Sequence, residues 1–182
     1  MTTPIRVAQL LLTVTLTTTA TLDLHAAPRT RAQGQVRPVD ARVAHLVGRG
    51  AFRSRIIAGL LDRIRRSDVI VYVRSRPDAP RRLAGCTQFM GRSADGRRWL
   101  MVTLFDDAGW TRLEDAETRH LVTLGHELHH VLEVVEHPEI VDQASFAAFY
   151  TAHGHVWSER HVETQAARRG GSRVANELRS GD

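Results

Sequence analysis

The chain has 182 residues, of which 42% are hydrophobic and 25% charged, and its formal net charge is +5. These proportions are those of a globular domain, and they exclude a collagen-like chain, a coiled-coil rod and a wholly disordered protein. All 25 basic residues are arginines scattered among acidic residues, so we expect no nucleic-acid partner. No apolar stretch reaches the roughly 18 residues that cross a bilayer, so we expect no transmembrane segment.

The beginning of the chain predicts a targeting segment. Residues 1–27 contain Arg6, a short apolar run at 7–16 and small residues near their end, which is the layout of a secretory signal peptide. The alternative is a β-strand, because threonines alternate with apolar residues in this run. We expect the signal peptide, and with it export to the periplasm or the extracellular space. Residues 28–38 are polar without a hydrophobic period and predict a linker, so the domain is expected to cover 39–182.

Two helices are predicted at the start of this domain. Asp40 can cap the first, which is expected to be interrupted near Gly48 and Gly50. Ser54 can cap the second, in which apolar residues recur at helical spacing between arginines. The apolar residues of this second helix are Ile56, Ile57, Leu60, Leu61 and Ile64.

A small sheet is predicted to follow. Residues 68–73 form a β-branched run typical of a buried strand. Two further runs, 83–90 and 98–105, are separated by a segment containing Asp95 and Gly96, a pair that strongly favours a hairpin turn. The sequence therefore predicts an antiparallel sheet of three strands, which needs a helical layer against one face.

The second half of the domain is predicted to be helical. Thr111 and Glu114 can form a capping box that begins a long helix. A following helix should end at Gly154, and the last one has a weak point at Gly170 and Gly171. The predicted helices cover 111–136, 141–152 and 159–178. The expected fold class is α+β, with N-terminal helices, the small sheet, the long helix and C-terminal helices.

A five-residue motif, His126-Glu127-Leu128-His129-His130, lies in the middle of the long helix. Residues four apart share one helix face, so both outer imidazoles can reach a single ion. Zinc binds neutral imidazole nitrogens, and a catalytic zinc keeps one position for water. Glu127 can take a proton from that water and later pass it to a leaving amine. The alternative interpretation is a histidine-rich helix face exposed to solvent.

A third ligand is expected from the last predicted helix. A stripe of small or apolar residues along that helix includes one carboxylate, which is therefore expected to point inward. A buried carboxylate needs a partner, either a metal ion or an arginine in a structural salt bridge. The stripe consists of Glu163, Ala167, Gly170, Val174 and Leu178.

Other residues compete for the role of third ligand. Glu133 shares a face with the motif histidines, but three ligands from one straight helix converge poorly on a tetrahedral ion. Glu133 is therefore expected to orient a histidine rather than to bind the ion. Glu159 and His161 are weaker alternatives. His129 lies off the ligand stripe and is expected to pack or to face solvent.

The order of a small sheet, an H-E-x-x-H helix and a later carboxylate resembles the zincin metallopeptidases of the glutamate-ligand (gluzincin) type. More loosely, the domain is similar to small exported bacterial zincin-like proteins. The resemblance implies that His126, His130 and Glu163 bind zinc and that Glu127 is the catalytic base. It also implies an edge strand that binds an extended peptide, expected at 98–105. The segments that carry the resemblance are 67–73, 123–130, 141–146 and 162–167.

The metzincin branch is excluded, because Glu133 and Glu136 stand where its pattern needs glycine and histidine and no methionine follows Met101. Catalytic zincins usually add a tyrosine or histidine that stabilises the oxyanion. The candidates in this chain are Tyr150, His153 and His161.

Two functions are therefore expected from the sequence. The first is a zinc-dependent metallopeptidase that acts on a peptide or protein substrate, with Glu127 activating a water. The alternative is a non-catalytic zincin-like module that binds the metal and acts as a scaffold or binding protein. Glu127 favours the peptidase, because a purely structural zinc does not need an unligated carboxylate beside it.

Overall fold

The computed structural model describes residues 34–77, 83–106, 113–158 and 161–180, which belong to a compact unit spanning Gln33–Asp182. The fold class is α+β, as predicted. None of the helices in these ranges is long and apolar enough to cross a membrane. The elements in chain order are β1 (Val36–Pro38), α1 (Ala41–Arg53), α2 (Arg55–Arg65), β2 (Val69–Arg76), β3 (Gly85–Arg92), β4 (Arg98–Phe105), α3 (Leu113–Glu136), α4 (Gln143–His153), β5 (Gly154–Ser158), β6 (His161–Thr164) and α5 (Gln165–Ser180).

The main sheet has four strands in the order β1-β2-β4-β3 among the described residues, not the three antiparallel strands predicted. β1 and β4 each pair in parallel with β2, and only β3 and β4 are antiparallel. The additional strand, β1, lies in the predicted linker 28–38, so the compact part begins before residue 39. The three residues of β1 are too few to show a hydrophobic period in the sequence. Their position is set by pairing with β2, for example Val36 with Val71.

The β3–β4 hairpin is confirmed. Its turn includes Gly96, whose φ of +85° suits glycine and strains other residues. β4 lies inside the sheet, between β2 and β3. The expectation that 98–105 forms the peptide-binding edge is therefore wrong, because β2 occupies its second side over the whole length. The edge strand beside β4 is β3.

The first two helices begin where the caps predict. The side chains of Asp40 and Ser54 accept hydrogen bonds from backbone N–H groups in the first turns of α1 and α2. The expected interruption of α1 is wrong, since the helix runs unbroken to Arg53. Gly50 lies at a close contact instead: a Cβ there would come within 3.3 Å of Ile57 and Leu121 side-chain atoms.

The core lies between one face of the sheet and α3. Arg98, only 2% exposed, joins these two layers. It binds the carboxylate of Asp68 through two nitrogens and donates to the carbonyl oxygens of Val134, His137 and Ile140, where α3 ends. The fully buried core side chains include Val69, Val71, Leu100, Val102, Leu104, Leu121, Leu124, Leu128 and Val131.

Helix α5 packs closely against α3 through two glycines. Gly170 meets the ring of His129, and a Cβ on Gly171 would come 3.2 Å from the Cβ of His126. The predicted weak point at these glycines is therefore wrong: α5 runs unbroken through them. Small residues are needed here because the side chains of His126 and His129 lie where a Cβ on α5 would be.

The predicted start of the last helix is also wrong. α4 ends at His153, and the predicted Gly154 is its C-cap, but the chain then forms the antiparallel hairpin β5–β6 before α5 begins at Gln165. Glu163 consequently lies on a strand rather than on a helix. The capping box of Thr111 and Glu114 falls outside the side chains that the structure describes.

Candidate metal centre

Three predicted ligands meet beside α3. His126 and His130 lie one turn apart, with ring centroids 5.0 Å from each other. Oε1 of Glu163, from β6, lies 3.3 Å from Nε2 of His126 and 3.6 Å from Nε2 of His130. One ligand atom from each residue lies within 4.8 Å of the other two, so this group could hold a metal ion.

The separations match those of ligands around one ion. Two atoms bound at about 2.05 Å to a tetrahedral ion lie about 3.3 Å from each other, close to both distances from Glu163. Oε1 of Glu163 is buried and has no hydrogen-bond partner, although a buried acceptor normally has one. An ion between the three residues would satisfy this oxygen. The donor set of two imidazoles and one carboxylate therefore fits a single cation.

Glu163 reaches the site from a strand, although the sequence predicted a helix. The buried stripe that predicted an inward direction for Glu163 is observed from residue 167 onward, where Ala167 and Val174 are fully buried. The alternative of an arginine salt bridge is not observed among the described residues, where the ion-pair partners of Glu163 are His126 and His130. Glu159 lies outside the described residues.

Glu133 contacts His130 and lies outside the group of His126, His130 and Glu163. Its Oε2 lies 2.9 Å from Nδ1 of His130 and accepts a hydrogen bond of 3.0 Å from the Tyr150 hydroxyl. The Thr164 hydroxyl donates to the other oxygen. A carboxylate at Nδ1 keeps the proton on that nitrogen and leaves Nε2 as the ligand atom.

The charges of the site favour a bound cation. Burial disfavours protonation of His130, but its contacts with Glu133 and Glu163 prevail and raise the pKa of His130 to about 10. Burial also disfavours ionisation of Glu163, but His126 and His130 lower the pKa of Glu163 to about 2. The carboxylates of Glu133 and Glu163 thus stabilise a positive charge on the imidazole of His130. A bound metal ion could supply that charge in place of the proton.

Glu127 lies beside the ligands without joining them. It is 4% exposed, and the Thr87 hydroxyl on β3 donates a hydrogen bond of 2.8 Å to its Oε2. Gly85 leaves room for it: a Cβ there would come 2.7 Å from Oε1 of Glu127. Burial raises the pKa of Glu127, while the charges of His130 and His126 oppose the shift. A raised pKa is typical of a carboxylate that takes up and releases a proton.

The structure describes two of the three predicted oxyanion candidates, Tyr150 and His153. The Tyr150 hydroxyl lies 3.3 Å from Nδ1 of His130, behind the ring and away from the ligand nitrogen. His153 is exposed and stacks on Phe149, and the side chain of His161 is not described. His129 packs beneath Gly170, with Nδ1 2.7 Å from the Gly125 carbonyl oxygen, consistent with its expected packing role.

One histidine near the site was not singled out from the sequence. His155 on β5 pairs directly with Glu163 on β6. No sequence signal could have found it, because its position depends on a hairpin within residues that were predicted to form a helix. Comparisons with family models, curated proteins and solved structures give no match to this chain.

Proposed function

We propose that this protein is a zinc-dependent peptidase of the zincin type. The observation that carries the proposal is the position of Glu127. This buried carboxylate lies beside the group of His126, His130 and Glu163 but is not part of it. A site that only stabilised the fold would gain nothing from burying this charge, because burial of an ionised carboxylate is costly.

Zinc is the metal that suits the donor set best. Two imidazole nitrogens and one carboxylate oxygen form a ligand set of catalytic zinc sites, in which the fourth position is left for water. A bound zinc ion would supply Lewis acidity, which lowers the pKa of water and polarises a carbonyl group.

The chain itself would supply the proton transfers. As a water oxygen adds to the carbonyl carbon of the peptide bond, Oε1 or Oε2 of Glu127 accepts a proton from that water and the π electrons of the carbonyl move to its oxygen. The carbonyl then reforms as the C–N bond breaks, with its electron pair going to nitrogen. Glu127 delivers its proton to that nitrogen, so the products are a carboxylic acid and an amine, and the acid then gives its proton to the amine or to solvent.

The substrate is proposed to lie along β3 rather than β4. β3 is the edge strand next to the site, and its Gly85 and Thr87 contact Glu127. An extended peptide that adds to a sheet edge uses main-chain hydrogen bonds, which fix its direction and register. Pairing along β3 would carry the peptide past the Glu127 carboxylate.

The decisive variant is Glu127→Gln, which preserves side-chain size and removes the base. The zinc-loaded variant is expected to keep about one zinc per chain and to lose at least ~100-fold in cleavage of a mixed peptide library, the loss of a general base. Glu139→Gln is the matched control, since Glu139 is exposed and its side-chain partner is His137, outside the site.

Full activity in Glu127→Gln would refute the mechanism. Zinc binding without cleavage by the wild-type protein would instead favour the metal-binding scaffold.

A further inference from the structure

The hairpin that carries Glu163 also brings a histidine to the site. In the β5–β6 ladder, Gly154 pairs with Thr164 and His155 pairs with Glu163. Directly paired residues project from the same face, with Cβ atoms about 4.5–5.5 Å apart. The side chain of His155 therefore projects on the same face as the carboxylate that approaches His126 and His130.

His155 is not itself a ligand. The described groups that could hold an ion comprise His126, His130 and Glu163, and His155 lies outside this cluster. Its side chain is exposed, and the structure records no hydrogen bond or ion pair for it among the described residues. Both ring nitrogens are thus available to a molecule that enters beside the three ligands.

Glu127 and the hairpin meet the ligands through contacts with different elements. β3 contacts one side of α3, where Thr87 bonds to Glu127. α5, which directly follows β6, contacts the other side, where Gly171 meets His126. A peptide on β3 would pass Glu127, and one that reaches the ligands would also meet the hairpin that carries Glu163.

We propose that His155 is a catalytic residue that donates a hydrogen bond from its ring N–H to the carbonyl oxygen of the peptide bond being cleaved. This inference rests on the proposed peptidase function. The donation strengthens as the carbonyl electrons move to oxygen, so it stabilises the transition state more than the bound substrate. Tyr150 cannot serve in this way in the observed structure, because its hydroxyl donates to Glu133 behind His130.

The test compares His155→Ala, His155→Gln and the control His153→Ala. His153 is a neighbouring exposed histidine whose ring stacks on Phe149. The substrate is the best-cleaved sequence from the peptide library. The second probe is the same peptide with a phosphinate, a tetrahedral anion, in place of the cleaved amide. Zinc per chain, kcat, KM and the Kd of the phosphinate peptide are measured for each protein.

His155→Ala is expected to keep its zinc, to lose about 10²–10³-fold in kcat, the usual effect of removing one oxyanion donor, and to bind the phosphinate peptide more weakly by a similar factor. KM should remain within about threefold, because the substrate carbonyl is bound weakly in the ground state. His155→Gln keeps an N–H donor and should recover part of both losses, and His153→Ala should behave as the wild type.

Two results would overturn the assignment: an unchanged kcat in His155→Ala, or loss of zinc from that variant, which would make His155 a ligand. If the wild-type protein binds zinc but neither cleaves the library nor binds any phosphinate peptide, the proposed function fails, and the role of His155 fails with it.

Discussion

Two polar clusters lie along α3, and their carboxylates differ in the hydrogen-bond and ion-pair partners that the protein gives them. The first surrounds Asp106, just after β4, and includes Arg42, Ser75 and His120. The second is the group of His126, His130 and Glu163 two turns later. Both combine a carboxylate with histidine, so composition alone does not distinguish them.

Asp106 is neutralised within the protein. Arg42 donates to both of its carboxylate oxygens, at 2.9 and 3.1 Å. The Ser75 hydroxyl donates at 2.9 Å, and Nε2 of His120 lies 3.0 Å from Oδ1. Both oxygens therefore have close partners, and the cluster needs no added cation.

Glu163 has no comparable arrangement. In the described structure its ion-pair partners are two imidazoles at 3.3 and 3.6 Å, and its Oε1 makes no hydrogen bond. Those distances suit ligands of a shared ion better than a hydrogen-bonded pair. The comparison indicates that the group of His126, His130 and Glu163 could hold a cation because an oxygen of its carboxylate lacks a hydrogen-bond partner, not because polar residues surround it.

Substitution of a candidate ligand should give the largest difference in zinc affinity between the two clusters. His130→Ala and Glu163→Ala are each expected to weaken zinc binding by more than about 100-fold, beyond the effect of losing an outer partner. Asp106→Asn, the matched control at the other cluster, should bind zinc as the wild type does. The measurement is competition with a chromophoric chelator. Equal zinc affinity in Glu163→Ala and the wild type would show that the third ligand lies elsewhere.

Glu133→Gln should have a smaller effect. The amide cannot replace the charge that keeps the proton on Nδ1 of His130, so zinc affinity is expected to fall by about 10–100-fold. The same competition assay applies, with Glu139→Gln as an exposed control. Folding is monitored by circular dichroism. An unchanged zinc affinity in a folded variant would remove Glu133 from the site.

The smallest expected effect is a pH-dependent change in the free energy of unfolding, and it comes from the Asp106 cluster. Burial disfavours ionisation of Asp106, but Arg42 and Ser75 outweigh it and hold the pKa of this carboxyl below its usual range. A lowered pKa adds stability that is present above the unfolded value, about 3.9, and is lost as the pH falls through the folded value.

The difference in unfolding free energy between the wild type and Asp106→Asn should therefore shrink below about pH 4, by about 1 kcal/mol or less for a partly exposed pair. Urea unfolding of both proteins at pH 6 and pH 3 measures it. A difference that stays constant, or grows in acid, would contradict this account.

The local elements could be predicted from the sequence because their signals lie within a few residues. Asp95 and Gly96 predicted the β3–β4 hairpin, and Asp40 and Ser54 predicted two helix starts. The i, i+4 spacing placed His126 and His130 on one face of α3. Glu163 was also chosen from the sequence, but from a helical stripe, whereas it lies on a strand just before that stripe begins.

Only the tertiary structure decided which elements pair when they are far apart in the sequence. The pairing of β1 and β4 with β2, and therefore the position of β3 at the edge, joins segments that no local period connects. The β5–β6 hairpin placed His155 opposite Glu163 and Thr164 beside Glu133, again without a sequence signal. Helical and strand periods record which face of an element is buried. They do not record which distant element covers that face, because that depends on packing the whole chain around one core.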